Sequence, residues 1–462
     1  MFFKSKAVLA ILASTLFVSL PLQAELRVGA AKVDQTGRLG EAQSGNYEHE
    51  RIYARAIVMD SDGVTAALIS YEGPYGGFEM LPTRQAMARE LDTGLENIIV
   101  THTHTHSREV IHNQEREIPE DGISRDLLEA VINARDNMQP ALASYGTGIS
   151  FLNVNRDAID PQSRKWVQGV NMDGVVDRSV GVLSFIDTQG APIAVWVNYA
   201  IHPVSGYMTG VVSGDVPGAM SRYVEQAFGD TMVAAFSQGT SGDINTLYLR
   251  PANNALASRL GEPITGYVMD RETYEAPLRA ASGNGEDIPP VDPQTLDRLF
   301  RFLESQGQVL GEEVIRVMSE PNLDWQDNVR IAGFSKSFDC PGRVRVNGNS
   351  MDGSREGVAG VYEDAEPQTI RMNLIGVGNM SIVSINGEAY AAIGKRLKEE
   401  VPMNNTMIVT IANERLRGYI PDDASFGHQT FQVLNNRIKP GCAESGIVDA
   451  AIELQNTYLG NN

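Results

Sequence analysis

Short apolar runs rich in β-branched residues alternate with amphipathic helical patterns through most of this 462-residue chain. An apolar run of a few residues is typical of a buried strand, whereas a repeat near 3.6 residues is typical of a helix packed on a sheet. The alternation predicts an α/β or mixed α+β fold, a single large domain whose mixed sheets are flanked by helices. The sequence shows no internal repeat and no low-complexity tract.

The predicted strands share an apolar, β-branched core, and they are 52–59, 65–70, 97–101, 193–199, 232–236, 380–385 and 407–412. The predicted helices share one apolar stripe, and they are 82–91, 124–138, 217–228, 293–318 and 388–401. Two weakly patterned segments remain. The segment 250–293 is predicted to be a disordered insertion or a loop over a site, and the Gly-rich segment 347–360 is predicted to be a second loop.

The sequence pattern of the N-terminal residues predicts that the chain is exported. Lys4 and Lys6 precede an apolar run at 7–20, and Ala24 offers a small residue for cleavage. We expect a signal peptide over 1–24 and a mature chain over 25–462, located in a periplasm or secreted. The apolar run is too short for an uncleaved membrane anchor, and no later segment is apolar enough to be one. No transmembrane anchor is therefore expected once the signal is removed.

The cysteines indicate a possible disulfide, and the net charge limits the classes of binding partner. Cys340 and Cys442 are the only cysteines, and an oxidising compartment would let them pair, although two separate buried thiols are the alternative. The formal net charge of −20 repels phosphate backbones, which excludes nucleic acid as an expected partner. The oligomeric state is left open by the sequence.

Four of the seven histidines lie within eleven residues, and they are His102, His104, His106 and His112. If the strand at 97–101 continues, the three alternating imidazoles share one face. Three imidazoles on one face repel each other when protonated, so a bound cation such as zinc is the natural solution. The metallo-β-lactamase pattern His-x-His-x-Asp-His is excluded, because Ser107, Arg108 and Glu109 follow His106.

Other residues able to bind a metal follow the carboxyl ends of predicted strands, where open α/β folds place their sites. His202 follows the strand 193–199, Glu388 follows 380–385, and Tyr419 comes soon after 407–412. Each also has a structural interpretation. In that interpretation, His202 shapes a turn before a proline, Glu388 stabilises a helix N-terminus, and Tyr419 is a packed aromatic.

Several segments occur in a characteristic order: Leu26-Arg-Val-Gly-Ala-Ala-Lys-Val-Asp34, Thr103-His-Thr-His-Ser107, His202-Pro203, Ser213-Gly-Asp215, Phe236-Ser-Gln238, Gly242-Asp-Ile244, Gly387-Glu388 and Gly394-Lys-Arg-Leu397. Together they resemble the catalytic domain of neutral (alkaline, non-lysosomal) ceramidases, over about residues 26 to 435. The resemblance implies one zinc ion bound by His104, His202, Glu388 and Tyr419. His106 is then a partner of His104, and His102 is an additional structural residue.

The resemblance also implies catalytic roles. Arg156 matches the family arginine that contacts a carbonyl oxygen, so Arg156 and His106 are expected to stabilise an oxyanion. Glu388 is expected to take a proton and return it to the leaving group. The expected nucleophile is water activated by zinc. Ser241 is a weaker candidate, because no histidine lies beside it in sequence.

The expected substrate-binding residues are Asp243, Asn245 and Phe431, and two of them depart from the family. Asn245 stands where ceramidases have a serine, and Phe431 stands where they have a second tyrosine. Arg108 also replaces a glycine after Ser107, and no counterpart of the family's C-terminal immunoglobulin-like domain is expected. The substrate-facing positions change while the metal ligands are kept.

Three functions follow as hypotheses. The first is an exported zinc hydrolase that cleaves an amide or ester bond of a small-molecule or lipid-like acylated substrate. The second is a true ceramidase that hydrolyses N-acylsphingosine. The third is a non-catalytic periplasmic zinc-binding protein.

Overall fold

The computed structural model describes residues 25–36, 47–48, 50–73, 80–107, 120–206, 211–249, 293–414, 416 and 418–461. The predicted signal peptide and the segment 250–292 lie outside the described residues. The described helices include none that is long and apolar enough to span a membrane.

The described strands, in chain order, are β1 (Arg27–Asp34), β2 (Tyr47–Glu48), β3 (Tyr53–Ser61), β4 (Val64–Tyr71), β5 (Ile98–His102), β6 (Gln139–Ile149), β7 (Asn153–Ile159), β8 (Trp166–Asn171), β9 (Ser179–Asp187), β10 (Pro192–Tyr199), β11 (Val211–Val212), β12 (Val233–Gln238), β13 (Ile244–Thr246), β14 (Ile331–Arg345), β15 (Tyr362–Val377), β16 (Met380–Ile385), β17 (Glu388–Ala389), β18 (Thr406–Val409) and β19 (Tyr419–Ile420). The described α-helices are α1 (Met80–Glu90), α2 (Glu120–Asp136), α3 (Asp215–Ala227), α4 (Pro293–Met318), α5 (Ser350–Glu356), α6 (Ala391–Glu400), α7 (Phe431–Leu434) and α8 (Ala443–Leu459). Short 3-10 helices cover Leu95–Asn97 and Asp423–Gly427.

One strand arrangement occurs three times. Three strands pair antiparallel in succession, a helix follows, and a fourth strand then pairs parallel with the third. Unit 1 consists of β1, β3, β4 and β5. Unit 2 consists of β6, β9, β10 and β12. Unit 3 consists of β14, β15, β16 and β18.

Units 1 and 2 join into one eight-stranded sheet through a short β1–β6 pairing, and unit 3 forms a separate four-stranded sheet. Side-chain hydrogen bonds connect every pair of units. Ser70 Oγ donates to the Phe236 carbonyl at 2.5 Å, Asn198 Nδ2 to the Ile408 carbonyl at 2.9 Å, and Thr101 Oγ1 to the Thr410 carbonyl at 3.2 Å. These strands therefore end close together.

Both faces of the central strands β3, β4, β10 and β16 are largely buried, which explains the near-continuous apolar runs in their sequence. In β3, Ile57 and Met59 face a central core to which all three units contribute. The alternate residues Ala56 and Val58 pack under α1 and α2. Similar outer cores lie between unit 2 and the helices α3 and α4, and between unit 3 and the helices α6 and α8.

The predicted mixed α/β fold is confirmed. The predicted helix 293–318 and strand 380–385 have the same bounds as α4 and β16, because their patterns are long or strongly apolar. Two local predictions are wrong. Glu388 begins the short strand β17 rather than a helix, which starts at Ala391, and the Gly-rich loop 347–360 contains helix α5.

The two cysteines form a disulfide. Cys340 lies on β14 and Cys442 precedes α8, and their Cα atoms are 5.7 Å apart. The bond therefore ties α8 to the edge strand of unit 3, and the alternative of two separate thiols is excluded.

Candidate metal centre

Three imidazoles meet where β5 and β10 end. The nitrogen atoms through which His104, His106 and His202 could bind a metal lie within 4.8 Å of one another. Their ring centroids are 4.5 to 5.2 Å apart. His104 and His202 are buried, and His106 is partly exposed. This group could hold a metal ion.

The backbone brings these rings together in a way that strand alternation does not predict. Strand β5 ends at His102, and His104 has a φ of 66°, in the left-handed region. The strand therefore does not continue through the three alternating histidines, which was the condition for placing them on one face of a strand. A non-glycine residue in this region costs about 1 to 2 kcal/mol, and such strain is concentrated at functional sites. His102 lies next to Tyr71, with ring centroids 5.7 Å apart.

Glu388 lies close to the same imidazoles. His104 Nε2 lies 3.5 Å from His106 Nε2 and 3.3 Å from Glu388 Oε2. Four donors placed about 2.0 to 2.1 Å from a zinc ion at tetrahedral angles are about 3.3 to 3.4 Å apart. Glu388 Oε2 is buried, and no residue of the described part of the chain donates a hydrogen bond to it. The donors thus fit a bound cation, and His104, His106, His202 and Glu388 are called the candidate metal centre below.

The ring of His202 is oriented by the backbone. Its Nδ1 lies 3.3 Å from the Ser241 carbonyl oxygen. A carbonyl only accepts, so Nδ1 carries the proton and Nε2 keeps its lone pair. Ser241 thus contributes through its backbone, whereas the sequence suggested only its hydroxyl.

The imidazoles of His106 and His202 are held neutral. Burial lowers the pKa of His106 well below its ordinary value, and the electrostatic effects of His104, Arg156 and His102 lower it further. Burial also lowers the pKa of His202 well below its ordinary value, with Arg156 as the next cause. A neutral imidazole has the free lone pair that a metal needs.

Tyr419 lies next to Glu388 on the neighbouring strand. Glu388 and Tyr419 are direct partners in the parallel pair β17–β19, so their side chains leave the pair on the same side. The Tyr419 side chain is hydrogen-bonded to the Arg156 guanidinium, and its ring contacts Phe431 edge to face at 5.6 Å. The role of Tyr419 as a metal ligand stays a prediction.

Arg156 is buried beside the candidate metal centre. Its Nη2 donates to the Gly242 carbonyl at 2.6 Å, and its Nη1 donates to Asn245 Oδ1 at 3.2 Å. The Phe431 ring lies 5.6 Å from the guanidinium. Burial opposes its charge, but Tyr419, Tyr390 and Asp157 raise its pKa above the ordinary value. Asn245 and Phe431, predicted to contact substrate, therefore also hold Arg156.

Asp243 has an internal role. Its Oδ2 accepts from Asn155 Nδ2 at 2.7 Å, and its Oδ1 accepts from the Ala391 amide at 2.8 Å. It therefore connects β7 to the start of α6. Burial raises its pKa to about 7, and the charge of Asp157 contributes to this shift. A contact between Asp243 and substrate stays a prediction.

Sequence reasoning missed a group next to Arg156. His428 Nδ1 lies 3.0 Å from Asp157 Oδ2, and the His428 ring stacks on Trp166 with centroids 3.8 Å apart. The Tyr390 hydroxyl donates to the same carboxylate oxygen at 3.3 Å. Two features of the sequence could have pointed to this pair. Asp157 directly follows Arg156, and His428 is one of only seven histidines.

The fold and this centre define a mixed α/β protein with a buried, histidine-rich group able to hold a metal. Models of protein families include none that matches the chain, and curated protein sequences include no match either. Solved structures that are similar to it include two described as ceramidases. One is a neutral ceramidase from Pseudomonas aeruginosa, with a TM-score of 0.65 and 16% sequence identity over 94% of this chain and 75% of that one.

The second is described as a ceramidase complexed with C2, with a TM-score of 0.65 and 16% identity over 94% of this chain and 76% of that one. Similarity at this level of identity shows the fold. The chain therefore has the fold of neutral ceramidases, as the sequence motifs implied.

Proposed function

We propose that the chain is an exported zinc-dependent hydrolase that cleaves an amide or ester bond of a small-molecule or lipid-like acylated substrate. The observation that carries this proposal is the candidate metal centre, in which three imidazoles and the Glu388 carboxylate come together at the ends of the strands of a ceramidase-like fold. Export rests on the charge and apolar pattern of residues 1–24.

The zinc ligands that we propose are His104, His202, Glu388 and Tyr419. His106 is a further candidate, because its Nε2 belongs to the same group of donors. When bound, zinc lowers the pKa of water toward 7 and polarises a carbonyl group. The family resemblance and the nitrogen and oxygen chemistry of the donors both support this choice of metal.

Side chains at the site can stabilise the negative charge that develops on a substrate carbonyl oxygen. The Arg156 guanidinium is charged, buried and fixed by Gly242 and Asn245, so it can bind that oxygen without reorganisation. Neutral His106 has one N–H to donate to the same oxygen. The Glu388 carboxylate can accept a proton from the attacking water and pass it to the leaving group.

A second candidate function is that of a ceramidase. It is favoured because both similar structures are described as ceramidases. It is disfavoured by Asn245 and Phe431, which change the hydroxyl groups expected around the substrate. A third candidate is a non-catalytic zinc-binding protein, in which protein donors would fill every coordination position.

The test is a hydrolysis panel with purified mature chain. N-acylsphingosine, short N-acyl amines and short acyl esters are incubated with the protein, with a chelator, and with chelator followed by zinc. We expect hydrolysis that the chelator abolishes and zinc restores, with metal analysis giving one zinc ion per chain. Zinc binding without turnover of any substrate supports the third candidate, and turnover that survives complete metal removal contradicts the proposal.

Substitutions test the site directly. His104→Ala and Glu388→Gln should each lose zinc and turnover. Glu444→Gln is a matched control, because Glu444 is also a largely buried carboxylate but pairs with Arg396 at 3.0 Å, outside the candidate metal centre. Full zinc content and full turnover in both site variants would rule out this centre.

A further inference from the structure

Asp215 connects the two loops that carry the histidines. It is completely buried at the start of α3. Its Oδ2 accepts from Ser107 Oγ at 3.0 Å and from the Gly206 amide at 2.8 Å, and its Oδ1 accepts from the Val216 amide at 2.7 Å. Ser107 directly follows His106, and Gly206 lies in the loop that begins after β10 and contains His202.

Backbone contacts bring the same two loops together. The His106 amide donates to the Pro203 carbonyl at 3.1 Å, and the Ser213 amide donates to the Ser107 carbonyl at 2.9 Å. The approach is also close, because a Cβ on Gly206 would lie 2.4 Å from Ser107 Oγ. The carboxylate of Asp215 therefore lies at the junction of both loops and α3.

The hydrogen bonds require two acceptor oxygens. Two backbone N–H groups, of Gly206 and Val216, point at different oxygens of the same carboxyl group. The nitrogen of an asparagine amide cannot accept, so an asparagine would leave one of these buried N–H groups without a partner.

The energetic features of Asp215 point away from a purely stabilising role. Burial raises its pKa to about 6, which means that the charged form is disfavoured in the folded protein. Its φ of 56° is left-handed, a conformation that non-glycine residues rarely adopt. Costs of this kind are typical of residues retained for function.

We propose that Asp215 is a positioning residue whose buried carboxylate holds the loops 101–107 and 201–206 at the separation at which His104, His106 and His202 share one cation. This inference rests on the proposed metal centre, but it does not require that the chain hydrolyses any particular substrate. A simple helix-capping role for Asp215 is the competing explanation.

The first test is hydrogen–deuterium exchange on metal-free Asp215→Asn. We expect faster exchange in 101–107 and 201–206, with the rest of the described chain unchanged. Asp177→Asn is the matched control, since Asp177 is a largely buried carboxylate bonded to Lys398 and Ser179. It should not change exchange in the two loops. A lower Tm for Asp215→Asn with wild-type exchange in both loops would show a helix cap and overturn the proposal.

The second test is zinc affinity, measured by competition with a chelator. Groups that orient metal ligands typically contribute tenfold or more to affinity, so Asp215→Asn should bind zinc about tenfold more weakly and Asp177→Asn as tightly as wild type. Ser107→Ala removes one loop contact only and should weaken zinc binding by a few fold, which keeps the test possible if Asp215→Asn does not fold.

The possible outcomes separate the two proposals. Wild-type zinc affinity in both Asp215→Asn and Ser107→Ala would overturn the positioning role. The other outcome is weakened zinc affinity in both variants together with a wild-type protein that binds zinc but hydrolyses no tested substrate. It would support the positioning role of Asp215 and contradict the proposed hydrolase function.

Discussion

Arg156 is held from several sides by the protein itself. The Gly242 carbonyl, the Asn245 side chain and the Tyr419 side chain all bind its guanidinium. A donor fixed in this way needs no reorganisation when charge develops on a nearby oxygen, which is where most electrostatic catalysis comes from. Asn245, which removes the serine expected from the family, thereby gains a defined role.

The first prediction concerns the N–H donors of the Arg156 guanidinium. Arg156→Lys keeps the charge but cannot make the paired hydrogen bonds, so kcat should fall by about a hundredfold while zinc content stays at the wild-type level. Steady-state kinetics on whichever substrate is turned over, with metal analysis, gives the measurement. Arg316→Lys, on the exposed face of α4, is the control and should be neutral. A loss of less than threefold in Arg156→Lys would contradict the oxyanion role.

The second prediction concerns Asp243, whose pKa burial raises to about 7 from an ordinary 3.8. Between these two values the folded protein binds a proton that the unfolded chain has released, so the free energy of unfolding falls as pH rises. From pH 5 to pH 8 we expect wild type to lose about 2 to 3 kcal/mol more than Asp243→Asn, since each pKa unit corresponds to about 1.4 kcal/mol.

Urea denaturation at several pH values measures this difference. Asp177→Asn serves as the control, because its Lys398 partner lowers the pKa of Asp177 and its titration lies below pH 5. Parallel pH profiles for wild type and Asp243→Asn would show that Asp243 is charged throughout this range.

At the scale of elements, the centre depends on how α3 is held. Helix α4 packs along α3 through two glycines, Gly307 and Gly311. A Cβ on Gly307 would lie 2.3 Å from Ala219 Cβ and 2.9 Å from the Met220 amide nitrogen. The backbones of the two helices therefore approach closely, and this approach fixes the helix that begins with Asp215.

The third prediction tests that packing. Gly307→Ala should lower the free energy of unfolding by about 1 to 3 kcal/mol through overpacking, although alanine is the better helix former by about 1 kcal/mol. Thermal and urea denaturation provide the measurement. Ser305→Ala, at an exposed position of the same helix, should be neutral or slightly stabilising. Equal stabilisation by both substitutions would mean that α3 and α4 do not pack this closely.

At the scale of the whole molecule, the candidate metal centre draws on all three units. His104 follows the last strand of unit 1, His202 follows the third strand of unit 2, and Glu388 follows the third strand of unit 3. The hydrogen bonds between units bring these strand ends together. The disulfide, by contrast, lies within unit 3 and contacts neither histidine loop.

The fourth prediction follows because the disulfide does not contact the histidine loops. The double variant Cys340→Ala, Cys442→Ala opens a loop whose ends are 102 residues apart, which should cost up to about 4 to 5 kcal/mol in the chain-entropy description. Zinc affinity should not change, because no proposed ligand is displaced. Urea denaturation and chelator competition on both proteins test the two statements. A tenfold loss of zinc affinity in a folded double variant would show that the disulfide does support the candidate metal centre.

Local patterns predicted much of the fold. Helix α4 and strand β16 were predicted with their correct bounds, since periodicity and apolar character depend on neighbouring residues only. The long ribbon of β14 and β15 was not predicted at all, and the helix α5 at its tip was predicted as a loop. Much of this ribbon is exposed, so its sequence lacks the apolar signal of a buried strand.

The sequence by itself determined which residue types stand after which strands, and therefore that His104, His202 and Glu388 were candidates for one site. The family resemblance implied that His106 is the partner of His104 and that His102 is an additional residue, but only the tertiary structure shows the rings of His104, His106 and His202 together and the ring of His102 beside Tyr71. The physical reason is that the approach of these rings depends on the left-handed backbone at His104 and on contacts such as those of Asp215. Those contacts join residues far apart in the chain, and no local pattern records them.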